Sequence, residues 1–204
     1  RPEDHPDAVI QVYSARTWGL KKAVSVHTWI AAKGAGEAAY RVYEVIGWRQ
    51  RRGLSVVSRS NRPPDGSWYG NPPALLSDLR GPAADRLIDR IEAAADSYPW
   101  ADEYTAWPGP NSNTFTAWIG RQVPELGLDL PSTAIGKDYA GLRDLFGPPV
   151  SGSGIQVSLY GLLSLSAGAH QGLEFSVLGL SLELDILDAA VEIPGFGRIG
   201  PDPV

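Results

Sequence analysis

Gly109-Pro110-Asn111-Ser112-Asn113-Thr114-Phe115-Thr116-Ala117-Trp118-Ile119 sets a rigid Gly-Pro approach and three polar residues ahead of an apolar run. Phe115, Trp118 and Ile119 fall at i, i+3 and i+4, so they form one apolar stripe on a helix that Pro124 must end. Asn111, Ser112 and Asn113 stand before the stripe, with side chains able to cap orphan backbone N–H groups. A serine is thereby presented at the positive end of a short, half-buried helix. Two readings compete for it: a helix cap worth about 1 kcal/mol, or a nucleophile placed where a helix N-terminus favours negative charge. The choice between them needs a base.

Upstream the pattern is that of strands. Val9 to Tyr13, Ala23 to Ala31 and Tyr40 to Trp48 are rich in β-branched and aromatic residues. Period two puts Val24, Val26, Thr28 and Ile30 on one face of the second strand and Ser25, His27 and Trp29 on the other. On the third strand Glu44 shares a face with Tyr40, Val42, Ile46 and Trp48, and a carboxylate in such company needs a partner. A reversal at Gly34-Ala35-Gly36 makes the two strands antiparallel neighbours and lets His27 and Glu44 meet.

Composition narrows the function classes. With 204 residues, 43% of them hydrophobic, and with 17 Pro and 23 Gly, the chain suits one α+β domain with many turns. A formal charge of −5 argues against nucleic acid as a partner. Arg49, Arg51, Arg52, Arg59 and Arg62 make a local basic cluster, read as a solvated hairpin, with a face toward anionic lipid as the alternative. Cysteine is absent, which removes disulfides and thiol catalysis, and three scattered histidines make no zinc motif, so no metal and no cofactor are expected. The chain begins at Arg1 and holds no methionine, from which we expect that an N-terminal segment, a signal or membrane anchor, has been removed.

Residues 1–7 read as a tail or linker, and residues 8–150 as the core domain. Leu54 to Ser58 is a further strand, followed by the turn-rich aromatic loop Arg62 to Gly70. Asn71-Pro72-Pro73 is expected to open a short helix to Leu79, and the stripe Ala84, Leu87, Ile88, Ile91, Ala95 predicts an amphipathic one. Tyr98 to Trp107 is an aromatic connector, and Lys137 reads as an ion-paired structural residue. Ser151-Gly152-Ser153-Gly154 looks like a hinge into a C-terminal extension, residues 151–204. There Ile155 to Leu165 and Leu173 to Leu187 read as a long β-hairpin turning at His170, with Leu alternating against Ser, Glu and Asp. Its safest expected role is to cover the open side of the first sheet; the other is to offer an apolar surface to a partner or bilayer. Gly195-Phe196-Gly197-Arg198-Ile199-Gly200 has the spacing of a dinucleotide fingerprint, but no βαβ unit follows it, so the match is empty.

A strand histidine, a next-strand carboxylate and a later helix-start Asn111-Ser112-Asn113-Thr114-Phe115 resemble the permuted papain-like folds, the lecithin-retinol-acyltransferase-like and PPPDE branches, with Ser in place of Cys. A serine hydroxyl needs general-base help that a thiolate does not. The closer resemblance is to the uncharacterised bacterial domain-of-unknown-function family 3750. It is carried by Val26-His27-Thr28-Trp29-Ile30, Tyr40 through Trp48, Asp65 through Gly70, Tyr98-Pro99-Trp100, Trp107 through Phe115, Ala134 through Asp138 and Pro194 through Gly200.

These resemblances imply an antiparallel sheet packed on a few helices, of papain-like permuted type, in the cell envelope, tethered by an N-terminal segment outside this chain. As a serine-using hydrolase or acyltransferase it would use Ser112 as nucleophile, His27 as base and Glu44 to orient His27. Asn111, Asn113, Trp29, Trp68, Tyr69 and Trp107 would line a cleft for a peptide, lipid or acyl substrate. The alternatives are an inactive relative, and a non-enzymatic interaction module or accessory subunit of a membrane complex that makes contact through the Leu-rich C-terminal region.

Overall fold

A computed structural model describes residues 4–19, 24–140, 145–168, 172–186 and 188–201. His170, expected in a turn, lies outside them. Five strands, β1 (Val9–Arg16), β2 (Val26–Lys33), β3 (Arg41–Val45), β4 (Val57–Ser60) and β5 (Ala74–Arg80), form an antiparallel sheet in the order β4-β3-β2-β1-β5. Two helices, α1 (Pro82–Asp96) and α2 (Ser112–Gln122), cover one face. Ile10, Val12, Ile30, Tyr43 and Val45 meet Leu87, Ile91, Phe115 and Ile119 there, and this is the main core. The other face carries Val9, Tyr13, Trp29, Ala31 and Val42. No helix among the described residues is long and apolar enough to cross a membrane.

Helix α1 starts on Gly81-Pro82, where a proline costs no intrahelical bond, and buries Ala84, Leu87, Ile91 and Ala95 as its periodicity requires. The third strand ends at Val45, and a 3-10 turn over Gly47–Arg52 takes the place of its expected second half.

The short helix expected between Asn71 and Leu79 is a strand. Residues Val9 to Ser14 of β1 present a full edge of backbone donors and acceptors, and β5 pairs with them from Arg80 back to Ala74. Satisfying that edge outweighs a helix-opening Asn-Pro-Pro signal that brings only local stabilisation.

The expected long C-terminal hairpin is also corrected. Seven strands form a second antiparallel sheet in which every strand neighbours the next: β6 (Phe146–Gly147), β7 (Ile155–Leu159), β8 (Leu163–Gly168), β9 (Gly172–Val177), β10 (Leu180–Asp185), β11 (Ala190–Ile193) and β12 (Gly197–Ile199). Two turns hide inside apolar runs. Leu178-Gly179 has both residues at positive φ, 55° and 80°, between Val177 and Leu180, which is the backbone of a two-residue hairpin turn. Tyr160-Gly161 likewise has φ of 54° and 65°. A leucine or tyrosine where asparagine is usual leaves no turn signal in the sequence.

The second sheet packs against the rest of the chain with its polar face. Gln156, Ser158, Ser164, Ser166, Glu174, Ser176, Ser181 and Glu183 are buried, whereas Ile155, Val157, Leu159, Leu165, Phe175 and Leu182 are exposed. An apolar face covering the first sheet is therefore not what forms.

Candidate functional site

The start of α2 is a capping box. Asn111 Oδ1 accepts from the backbone N–H groups of Asn113 at 2.9 Å and Thr114 at 3.2 Å, and Thr114 Oγ1 accepts from Asn111 N at 3.1 Å. The remaining donors reach outward. Asn111 Nδ2 donates to the carbonyls of Ala106 (3.3 Å) and Ile135 (3.0 Å), Asn113 Nδ2 to those of Val26 (3.0 Å) and Ile135 (2.8 Å), and Thr114 Oγ1 to that of Gly136 (2.8 Å). Asn111 and Asn113, expected to bind substrate, thus have their polar groups committed to tying α2 to β2 and to the loop through Gly136.

His27 and Glu44 do meet: His27 Nε2 lies 3.1 Å from Glu44 Oε2. Arg62 grips the same carboxylate, Nε to Oε1 at 3.0 Å and Nη2 to Oε2 at 3.2 Å, and its guanidinium lies 4.5 Å over the ring of Trp29. Burial lowers the His27 pKa against the opposing pull of Glu44. Burial also pushes Glu44 up, but the hydrogen bonds from His27 and Arg62 outweigh it and the Glu44 pKa is lowered. At neutral pH the pair is therefore a neutral imidazole donating Nε2–H to a carboxylate, with the lone pair on Nδ1.

Ser112 is not part of this group. Thr28, the next residue along β2, sends Oγ1 to Asn113 Oδ1 at 3.0 Å and Thr116 Oγ1 at 2.9 Å on α2. Neighbouring strand residues face opposite sides, so His27 turns away from α2. Its ring stacks on Trp68 at 3.7 Å between centroids and 9° between planes. Among the described residues no hydrogen bond joins Ser112 Oγ to His27; Ser112 meets β2 through its carbonyl, 3.5 Å from Thr28 Oγ1. The structure brings together His27 and Glu44 and leaves Ser112 on the other side of the strand.

The aromatic residues expected to line the cleft divide. Trp29 is sealed, with Nε1 donating to the Pro64 carbonyl at 2.8 Å. Trp68 is half-buried between His27 and Trp48, and Tyr69 is exposed beside it with φ of 47°. Trp107 belongs elsewhere, its Nε1 donating to the Leu178 carbonyl of the second sheet at 2.9 Å. In the basic cluster, Arg59 is paired with Glu92 and Asp96, and Arg62 with Glu44.

The buried polar face of the second sheet is the feature that sequence reasoning missed. The Asp138 carboxylate accepts from Gln156 Nε2 (2.9 Å), Ser164 Oγ (2.9 Å) and Ser176 Oγ (2.7 Å). Lys137 Nζ lies 2.7 Å from Glu174 Oε1 and donates to the Leu130 carbonyl at 2.8 Å, the ion-paired role expected of it. Its pKa is raised because Glu174, Asp138 and Asp129 together overcome the penalty of burial. The alternating serines and glutamates carry the signal, but alternation alone does not say which side turns inward.

One carboxyl in this layer titrates unusually. Among the described residues Glu183 Oε2 has no hydrogen-bond partner, and burial, with the nearby Asp129 carboxylate, pushes the Glu183 pKa up to about 8. The unfolded value is about 4.3. Between the two the folded chain binds more protons than the unfolded one, so this group lowers stability as pH rises through that window, by at most about 1.4 kcal/mol per pH unit. The urea midpoint is expected to fall from pH 5 to pH 9, and Glu183→Gln, which mimics the protonated form, to flatten that fall. An identical slope in the variant would remove Glu183 from the account.

The opposite face is continuous and apolar. Phe146, Val157, Leu165, Phe175 and Leu182 form one row across the sheet. Leu159, Leu163, Val177 and Leu180 form a second, and Ile155, Ala167, Leu173, Leu184, Val191 and Ile199 a third.

A model of the family described as a protein of unknown function (DUF3750) matches residues 7–139. The chain belongs to this family. The DUF3750 match takes in the first sheet, both helices and the Lys137-Asp138 anchor, and ends before the second sheet. No curated protein and no solved structure matches the chain.

Proposed function

We propose that this DUF3750 chain acts by docking: an interaction module in which the α+β body holds the second sheet so that its apolar side meets a protein partner. The observation that carries this reading is the inverted alternation of β7 to β10, Ser and Glu inward and Leu, Ile, Val and Phe outward. Soluble sheets with one wet face place the polar side in water, and a contiguous apolar surface of this extent marks a contact site.

The serine-hydrolase alternative keeps Ser112 as nucleophile, His27 as base and Glu44 as orienter, and what favours it is the 3.1 Å His27–Glu44 bond. Against it stands the missing bond between His27 and Ser112.

With a benzophenone amino acid at Leu165, illumination of cells making the protein is expected to join it to a protein partner, whereas the same group at Leu75 on β5 gives no product. No product at Leu165 would sink the docking reading. A fluorophosphonate that labels the chain but neither Ser112→Ala nor His27→Ala would put chemistry in its place.

A further inference from the structure

Resting on that docking reading, we propose that the occupant of the apolar face is a second copy of this chain, seated sheet against sheet about a two-fold axis near Phe175.

Area supports this occupant. Three apolar rows, crossing five, four and six strands about 4.8 Å apart, give a footprint of roughly 500 Å² before side-chain relief is counted. A face-to-face pair therefore removes on the order of 1,000 Å² or more, the size at which a specific protein interface begins. Two such faces are also what a β-sandwich packs: sheets about 10 Å apart with interdigitating apolar side chains. Small Ala167 beside Leu165 and Leu173 supplies relief for that interdigitation.

Charge separates a protein partner from a bilayer. Strands β7 to β10 direct their glutamates, Glu174 and Glu183, into the chain, so nothing charged on the three rows repels an identical face. From residue 145 to 201 the only lysine or arginine is Arg198, and it is bonded to Asp185 and Asp188. An anionic membrane surface recruits proteins through Lys and Arg near the apolar element, and this one has none to offer.

The sheet also has a centre. In the order β12-β11-β10-β9-β8-β7-β6 the fourth strand is β9, and Phe175 lies in the row that crosses it. An isologous contact brings the same residue of each copy together at the axis, so Phe175 faces its own counterpart.

The chain has no cysteine, so one introduced thiol reports position cleanly. Facing sheets are too far apart for a disulfide, whose Cα atoms must lie within about 7 Å, so a short bismaleimide is the suitable linker. For the purified 204-residue chain, sedimentation equilibrium is expected to give twice the chain mass. Phe175→Cys is expected to be cross-linked to a dimer in high yield and Leu75→Cys on β5 to remain monomeric. Leu165→Glu with Phe175→Glu is expected to halve the mass while leaving the circular dichroism unchanged, because neither side chain packs in the interior.

A monomeric wild-type chain, or a dimer that the glutamates do not dissociate, overturns the proposal. If that monomer is joined in cells at Leu165 to a different protein, docking survives and self-docking fails; if it is joined to none, both fail. Flotation of the monomer with phosphatidylcholine vesicles, lost in the double glutamate variant, assigns the face to lipid and overturns the second-copy proposal.

Discussion

Replacing Asp138 with alanine is expected to release the second sheet from the body and to cost about 3–5 kcal/mol. Asp138 is buried, and its carboxylate is the shared acceptor for donors from three strands: Gln156 on β7, Ser164 on β8 and Ser176 on β9. Alanine leaves all three donors buried without that acceptor, and a buried donor left unmade costs about 1–3 kcal/mol. Water entering the gap and rotation of the serine hydroxyls recover part of the loss, which keeps the expectation below the sum of three such terms. Asp138→Asn is expected to fall between the two, since an amide retains one oxygen but turns an N–H₂ towards the serines. Urea unfolding reads the stability, and limited proteolysis between Leu163 and Asp185 reads the release. A variant within 1 kcal/mol of wild type, with the same cleavage pattern, would show that Asp138 does not anchor the sheet.

The second large effect is expected at Gly136. It has φ of +93°, in the region L side chains rarely adopt, and a Cβ there would lie 2.5 Å from Asn111 Nδ2 and 2.9 Å from Asn111 Cγ. The far end of a flexible side chain would usually yield, but Asn111 is held by four hydrogen bonds, to Asn113 N, Thr114 N, and the carbonyls of Ala106 and Ile135. Gly136→Ala therefore strains its own backbone and unseats the cap of α2 together, at an expected cost of about 3 kcal/mol. Gly53→Ala is the control: φ is +65° with nothing within 4 Å, so only the backbone term of about 1 kcal/mol applies. Equal losses in the two variants, measured by urea unfolding, would mean that contact with the cap contributes nothing.

Much of the candidate site was legible in the sequence because it rests on local rules. A cap among Asn111, Ser112 and Asn113, Glu44 in need of a partner, and His27 one antiparallel strand away follow from spacing and period. The placement of Ser112 away from His27 was not legible, because the side of β2 that faces α2 depends on which alternate residues the helix covers. Thr28 and Val26 turned out to lie on that side, and His27 did not. In the Asn111 through Phe115 motif, Asn111, Asn113 and Thr114 clasp the Ile135-Gly136 backbone.

By itself the sequence determined the elements whose signals are local: the β1 to β3 strands with their alternation, the amphipathic α1, the cap and length of α2, and the fact that one side of the C-terminal strands is apolar. The tertiary structure decided the rest. Residues 74–80 became a strand because the edge of β1 required a partner that no local signal could announce. Which side of the C-terminal sheet points inward was decided the same way. Alternation is symmetric between in and out, and the balance tipped when buried Lys137 and Asp138 required Glu174, Gln156, Ser164 and Ser176 as partners, which left the leucines outside.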